Sequence, residues 1–273
     1  MQILTRLSEL RQARQALRGS FGLVPTRGAL HAGKLSLVER ARAECDHVGV
    51  SLFVDPVGGH IGPPRRELEQ DLRRLEALGV DLVWAPSPAE AYPPDFQTWV
   101  TVEHASLPLE GKHRPGHFRA VATWTARLFN ACTPGRAYFG QIDAQRVAVV
   151  RRMVTDLYSP VEIVVCPTVR EADGLALSNR NVSLSPPERA AATVLYRALS
   201  TAREAYVAGE RDGDALRAIL SSTLAAEPLA REEYVSVADP NSLDELERLE
   251  GGGLLAVAAR VGKTRLIDNV EVG

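Results

Sequence analysis

Along the first two thirds of the chain, short apolar runs alternate with amphipathic stretches. Phe21 to Pro25 and His47 to Val54 are continuous apolar runs, as are Val80 to Trp84, Ala137 to Gly140 and Val161 to Cys166. A strand that is apolar at nearly every position is suited to burial on both faces, the habit of parallel sheets. Between these runs, residues 3–17, 34–45, 65–78, 117–131 and 143–156 carry the spacing of helices. Leu4, Leu7, Leu10 and Ala13 share one face of the first, and Gly79 stands where the third should stop. Residues 56–64, PVGGHIGPP, read as a loop, and Gln97 to Val102 as an extended segment. This alternation predicts an α/β fold with a Rossmann-like, doubly wound parallel sheet.

Near residue 175 the texture changes. Residues 185–209 open with Ser185 as N-cap, Pro186 at the first helical position and Glu188 completing a capping box. A second helix covers about 213–226. EEYVSVAD, GLLAVAARV and TRLIDNVEV then read as strands of a small antiparallel sheet. The expected organisation is a nucleotide-binding domain over 1–174 and a smaller α+β domain over 175–273. The polar junction 173–181, DGLALSNRN, falls between them, where ligand sites often form.

Composition narrows the function classes. The 273 residues are 45% hydrophobic and 24% charged, ordinary values for a globular protein. A net charge of −2 leaves no bulk basic field for nucleic acid. Cys45, Cys132 and Cys166 are widely spaced, without a CxxC pair, and suggest neither a disulfide framework nor a zinc site. No stretch of 18 apolar residues predicts a membrane span. The N-terminal stretch is a charged amphipathic pattern without the apolar core of a signal peptide, so a cytoplasmic protein is expected.

The candidate chemistry centres on Phe21 to Val38, FGLVPTRGALHAGKLSLV. An apolar run breaks at Pro25, a glycine-punctuated turn carries Thr26, Arg27, Gly28, His31, Gly33 and Lys34, and an amphipathic pattern follows. Such a strand–turn–helix junction directs backbone N–H groups and a positive helix end at a ligand above the sheet. Its glycines allow close approach to the backbone. The pattern by itself leaves a phosphate site and an ordinary βα turn equally open.

Taken together and in order, seven segments resemble the pantothenate synthetase family. They are PTRGALHAGKLSLVERA, VSLFVDP, LEGKHRPGHFRAVAT, AYFGQIDAQRVAVVRRMV, PTVREADGLALSNRN, LSPPER and AARVGKTRLIDN, and the resemblance runs from about residue 2 to 270. It implies a nucleotidyltransferase-type Rossmann domain with an HxGH signature at the opening stretch, a C-terminal lid domain and a homodimer. It implies condensation of pantoate with β-alanine, using ATP and Mg²⁺, through a pantoyl adenylate. By the same resemblance His31 and Lys34 take the catalytic positions. ATP contacts fall on Arg27, Gly28, Ala29, Leu30, His31, Ala32, Gly33 and Lys34, on Gly140, Gln141, Ile142 and Asp143, and on Val169, Leu177, Ser178, Asn179 and Arg180. Substrate contacts fall on Gly58 or His60 and on Arg146, and the metal-side carboxylate on Asp71. Arg114, His117 and Arg119 are expected beside the substrate.

Several of these positions depart from the family pattern. PTMGxLHxGH reads PTRGALHAGK, with Arg27 for Met and Lys34 for the second His. VNPxQF reads VDPVGGHIGPP, with Asp55 for Asn and the Gln falling on Gly58 or His60 according to how the loop is matched. GEKDYQQ reads GQIDAQR: Gln141, Ile142, Ala144 and Arg146 are changed, and Asp143 and Gln145 are kept. SSRN reads SNRN, with Asn179 for the second Ser. Cationic character is kept but redistributed. Three readings stay open on this basis: the family's ligase with compensating changes, a relative activating a different carboxylate, and a catalytically impaired nucleotide-binding homologue.

Overall fold

Each apolar run in the first two thirds of the chain contributes a strand, and those of the sheet's interior are the most fully buried, while the edge strand from Glu162 to Cys166 is only partly covered. The computed structural model describes residues 1–53 and 65–273, in two compact units, Met1–Pro167 and Thr168–Gly273. The described strands of the first unit are β1 (Gln2–Leu4), β2 (Phe21–Thr26), β3 (His47–Leu52), β4 (Leu82–Trp84), β5 (Arg136–Gly140) and β6 (Glu162–Cys166). They pair in the order β1-β4-β3-β2-β5-β6, all parallel. Helices α1 (Leu7–Ala16), α2 (Ala32–Glu44), α3 (Arg65–Ala77), α4 (Pro88–Ala91), α5 (Glu110–His113), α6 (His117–Cys132) and α7 (Ala144–Asp156) connect and cover them.

Helix α2 lays Leu37, Val38 and Ala41 on the sheet, where they meet Val24, Val48, Val50, Val83 and Tyr138. Close packing explains two strand glycines. A Cβ on Gly49 would sit 2.5 Å from the Phe21 ring, and one on Gly22 would sit 3.0 Å from Tyr138. Cys45, Cys132 and Cys166 are free and buried.

The chain departs from the sequence pattern in three places. Residues 2–4 are strand, not the start of a helix, because Ile3 and Leu4 pair with Val83 and Trp84 far along the chain. Gln97 to Val102 enters no sheet. Helices α4 and α5, each of four residues, are too short to show a period.

In the second unit, α8 (Pro186–Ala191), α9 (Val194–Val207) and α10 (Gly213–Ala225) accompany an antiparallel sheet. Its strands β7 (Ala230–Ala238), β8 (Gly253–Val261) and β9 (Thr264–Val272) pair in that order. The capping box of Ser185 and Glu188 opens α8, but the helical stretch 185–209 is two helices. Leu195, Leu199, Leu216, Leu220 and Val257 form a separate core. The unit begins at Thr168, ahead of the texture change near 175. Arg170 ties this segment down: it bonds both oxygens of buried Asp268, at 2.6 and 2.9 Å, and lies 4.0 Å over the Tyr196 ring. Among the described residues, no helix is long and apolar enough to cross a membrane.

Candidate active site

Strand order decides where a ligand can sit. Helical connections leave β2 towards β3 on one side, while β5 lies on the other. In an open α/β sheet the crevice beyond the carboxyl ends of such a pair, where the order reverses, is the expected ligand site. Two loops emerge there. One runs from Thr26 to the start of α2, the other from Gly140 through a short 3₁₀ turn, Gln141–Asp143, to α7. They carry two of the groups of residues singled out in the sequence.

The first loop is held in shape by side chains. Thr26 Oγ1 donates to the Ser51 carbonyl at 2.9 Å and accepts from Gly28 N–H at 3.2 Å. Gly28 and Ala29 both have positive φ, 79° and 50°, which folds the turn back on itself. Lys34 Nζ crosses the turn and donates to the Gly28 carbonyl at 2.7 Å. The main chain of Leu30 is clamped from α3: its N–H donates to Asp71 Oδ1 at 2.8 Å, and its carbonyl accepts from Arg74 Nη1. His31 occupies the N-cap position of α2, yet its side chain caps nothing. Lys34 N–H already donates to the His31 carbonyl at 2.8 Å, so the amides of Ala32 and Gly33, which come before any helical carbonyl can reach them, are the ones this helix start can offer a ligand.

The second loop brings Asp143 and Arg146 together at 3.0 Å. Asp143 stands at the N-cap position of α7 without a side-chain cap bond, so its carboxylate serves charge pairing. Gln145 points the other way. It is buried, accepts from Glu110 N–H at 2.9 Å, and donates to the carbonyls of Ala105 and Pro108 at 3.0 and 2.7 Å. The residue kept from the family motif therefore holds the 105–110 segment in place.

Electrostatics confirm that the two loops share a field. Burial pushes the Lys34 ammonium down to about 8; Asp143 and Asp71 oppose the shift, and Arg146 and Arg27 add to it. Burial also takes His31 down to about 4, with Lys34 reinforcing the shift and Asp143 opposing it. At neutral pH the imidazole is uncharged, and Nδ1 is buried without a hydrogen-bond partner. Lys34 is then mostly cationic, close enough to neutrality to exchange a proton.

The remaining sequence-derived residues belong to other segments of the chain. Val169, Leu177, Ser178, Asn179 and Arg180 belong to the second unit. Ser178 Oγ accepts from Arg180 N–H at 3.2 Å, and the exposed Arg180 guanidinium donates to the Arg265 carbonyl at 2.8 Å. Arg114 Nη1 and His117 Nε2 approach to 3.3 Å, and Arg119 lies 4.6 Å over the Trp99 ring. Asp55, Gly58 and His60 lie outside the described residues.

Asp71 does not offer what Mg²⁺ asks of a direct ligand. It is 1% exposed, one oxygen holds Leu30 N–H, and Arg74 already stands 3.9 Å away as a cation. Mg²⁺ keeps several waters in an octahedral shell, which a sealed carboxylate cannot admit. Among the described residues, no group of three acidic, His or Cys side chains is placed to hold a metal. Sequence reasoning missed the clamp on Leu30 and the brace made by Gln145; neither has a local signature.

A sheet in Rossmann order, with a basic, glycine-bearing turn at its switch point, defines a nucleotide-binding α/β protein. Comparison narrows the class. Residues 2–271 match the family described as Pantoate-beta-alanine ligase, and the chain belongs to that family. The pantothenate synthetase of Roseiflexus sp. (strain RS-1) is 56% identical, with 98% of each chain covered. The crystal structure of pantothenate synthetase from Thermus thermophilus superposes with a TM-score of 0.92 at 46% identity, covering 99% of each chain. A pantoate-beta-alanine ligase from Francisella tularensis, solved with beta-gamma ATP and beta-alanine, gives a TM-score of 0.79 at 30% identity. It covers 100% of this chain and 99% of that one.

Proposed function

We propose that the protein is an ATP-dependent ligase that joins pantoate to β-alanine through a pantoyl adenylate. The observation that carries this reading is the family match across residues 2–271 of a chain that keeps its basic turn at the switch point. The relative solved with beta-gamma ATP and beta-alanine supports the same substrates here. In the first half-reaction a pantoate carboxylate oxygen attacks the α-phosphorus of ATP, and pyrophosphate leaves. In the second the β-alanine amine attacks the acyl carbon, AMP leaves, and the amine gives up a proton.

Both steps need cations and N–H donors around phosphate oxygens whose charge changes. The first turn of α2 supplies the donors. Lys34 supplies a compact cation; its value near 8 leaves it mostly charged at neutral pH and still able to release a proton. Neutral His31 hydrogen-bonds without adding charge. Arg146, oriented by Asp143, offers a guanidinium for the carboxylate of the acid substrate. Ser178, Asn179 and Arg180 are assigned to ATP by family resemblance. Mg²⁺ would supply charge neutralisation at the triphosphate, and among the described residues no cluster of side chains is placed to hold it. Family membership also supports a homodimer in the cytoplasm.

The test is direct. The protein is incubated with ATP, Mg²⁺, pantoate and β-alanine, and AMP, pyrophosphate and pantothenate are followed. The expected result is one AMP and one pyrophosphate per pantothenate. Bound ATP with no pantoate-dependent AMP would remove pantoate as the substrate.

A further inference from the structure

We infer that Asp71 and Arg74 are positioning residues that set the geometry of the nucleotide-binding turn by gripping the main chain of Leu30 from helix α3. The proposal rests on the nucleotide reading of the site and replaces the expectation that Asp71 carries the metal.

Leu30 is the pivot of the turn. Its side chain is 2% exposed in the core, and the two residues before it have positive φ. The next residue, His31, starts α2, and its carbonyl accepts from the amides of Lys34 and Leu35 at 2.8 and 3.0 Å. Leu30 has no neighbouring strand to satisfy its peptide groups. α3 satisfies both: Asp71 Oδ1 takes the N–H at 2.8 Å, and Arg74 Nη1 donates to the carbonyl. Asp71 and Arg74 are one helical turn apart and 3.9 Å from each other, so the pair is a fork with one prong for each end of the residue.

Among the described residues the fork has no other task. Asp71 is sealed, and its second oxygen is buried without a partner. An acceptor that is also charged holds an N–H more firmly than a neutral one. A non-glycine residue at positive φ, as Ala29 is, persists only where its surroundings hold it. Releasing Leu30 would let the turn relax, moving the Gly28 carbonyl away from Lys34 and tilting the first amides of α2. The effect on ATP would come through geometry, without contact between Asp71 and ligand.

The full-length protein and three variants test this by amide hydrogen exchange at Leu30 without ligand, and by ATP affinity with and without Mg²⁺. Asp71→Ala removes the acceptor and Asp71→Asn keeps one. Arg74→Gln removes the long donor from a half-exposed site, where the substitution leaves no buried group of its own unpaired. Asp71→Ala should speed Leu30 exchange by roughly tenfold or more and weaken ATP by about tenfold. Asp71→Asn should restore both to within about threefold of the parent, with the Mg²⁺ dependence of binding unchanged. Arg74→Gln should raise exchange around the turn and weaken ATP by a few-fold.

Unchanged Leu30 exchange in both Asp71→Ala and Arg74→Gln overturns the proposal. So does an Asp71→Asn variant as impaired as Asp71→Ala, which would assign Asp71 to charge or metal. Faster exchange with undiminished ATP affinity overturns the positioning role. A parent protein that binds no ATP counts against the nucleotide reading itself, while Leu30 exchange still decides whether the fork holds the turn.

Discussion

Lys34 is the residue on which the chemistry of this site turns. It stands in the first turn of α2, against the positive end of the helix and near Arg27 and Arg146, with one carbonyl to hold it. The unliganded protein therefore carries an uncomfortable cation. Its folded value, about 8, lies below the ordinary 10.5. The unfolded chain thus binds more protons between these values, and stability rises with pH across that window. Lys34→Gln, which keeps a donor for Gly28 and drops the charge, should stabilise the protein at pH 7 by roughly 1–2 kcal/mol, an advantage that fades by about pH 10. Denaturant melts at the two pH values check this. The same charge is wanted once a triphosphate arrives. ATP affinity should accordingly fall by roughly tenfold as pH rises from about 7 to about 9.5, and Lys34→Gln should flatten that dependence. Calorimetry in buffers of different ionisation enthalpy should show proton uptake on binding near pH 8, where Lys34 titrates. A pH-independent affinity would place Lys34 away from the phosphates.

Between elements, buried side chains stand in for backbone pairing where the chain leaves the sheet. Gln145 on α7 meets three peptide groups of the 105–110 segment, and Gly111 is pressed so closely there that a Cβ would fall 1.8 Å from the Ser106 carbonyl. Gln145→Ala leaves one N–H and two carbonyls without these partners. It should cost roughly 2–4 kcal/mol in chemical denaturation. Because α7 also presents Arg146 and follows Asp143, activity should fall with it. A change below about 0.5 kcal/mol would mean that water replaces the amide.

For the molecule as a whole, each unit carries its own hydrophobic core, and the second is anchored by the Arg170–Asp268 pair. Burial pushes the Asp268 carboxyl up even with Arg170 beside it, so the pair is asymmetric. If Arg170 is lost, Asp268 can take up a proton; if Asp268 is lost, Arg170 cannot shed one. Asp268→Ala should therefore cost about 3–5 kcal/mol. Arg170→Met should cost less, and its cost should shrink as pH falls and Asp268 protonates. Hydrogen exchange should localise the loss in Asp268→Ala to residues 168–273. Equal loosening of 1–167 would show that the units do not melt separately.

Much of this architecture was legible in the sequence because it is written in local periodicity. Apolar runs such as His47 to Leu52 suit strands buried on both faces, and the glycines and cations between Thr26 and Lys34 marked a strand–turn–helix junction whose pattern alone left a phosphate site and an ordinary βα turn equally open. The order of motifs identified the family, and the same letters showed Arg27, Lys34, Ile142 and Arg146 standing where its pattern has other residues. Contacts between distant positions decided the rest. β1 exists because Ile3 meets Val83, Leu30 is held because α3 brings Asp71 and Arg74 to it, and Lys34 titrates near 8 because folding removes its water and sets Arg146 and Asp143 nearby. Periodicity records which face a residue turns inward. Which charge or peptide group it meets there depends on the closing of long loops, and only the folded chain settles that.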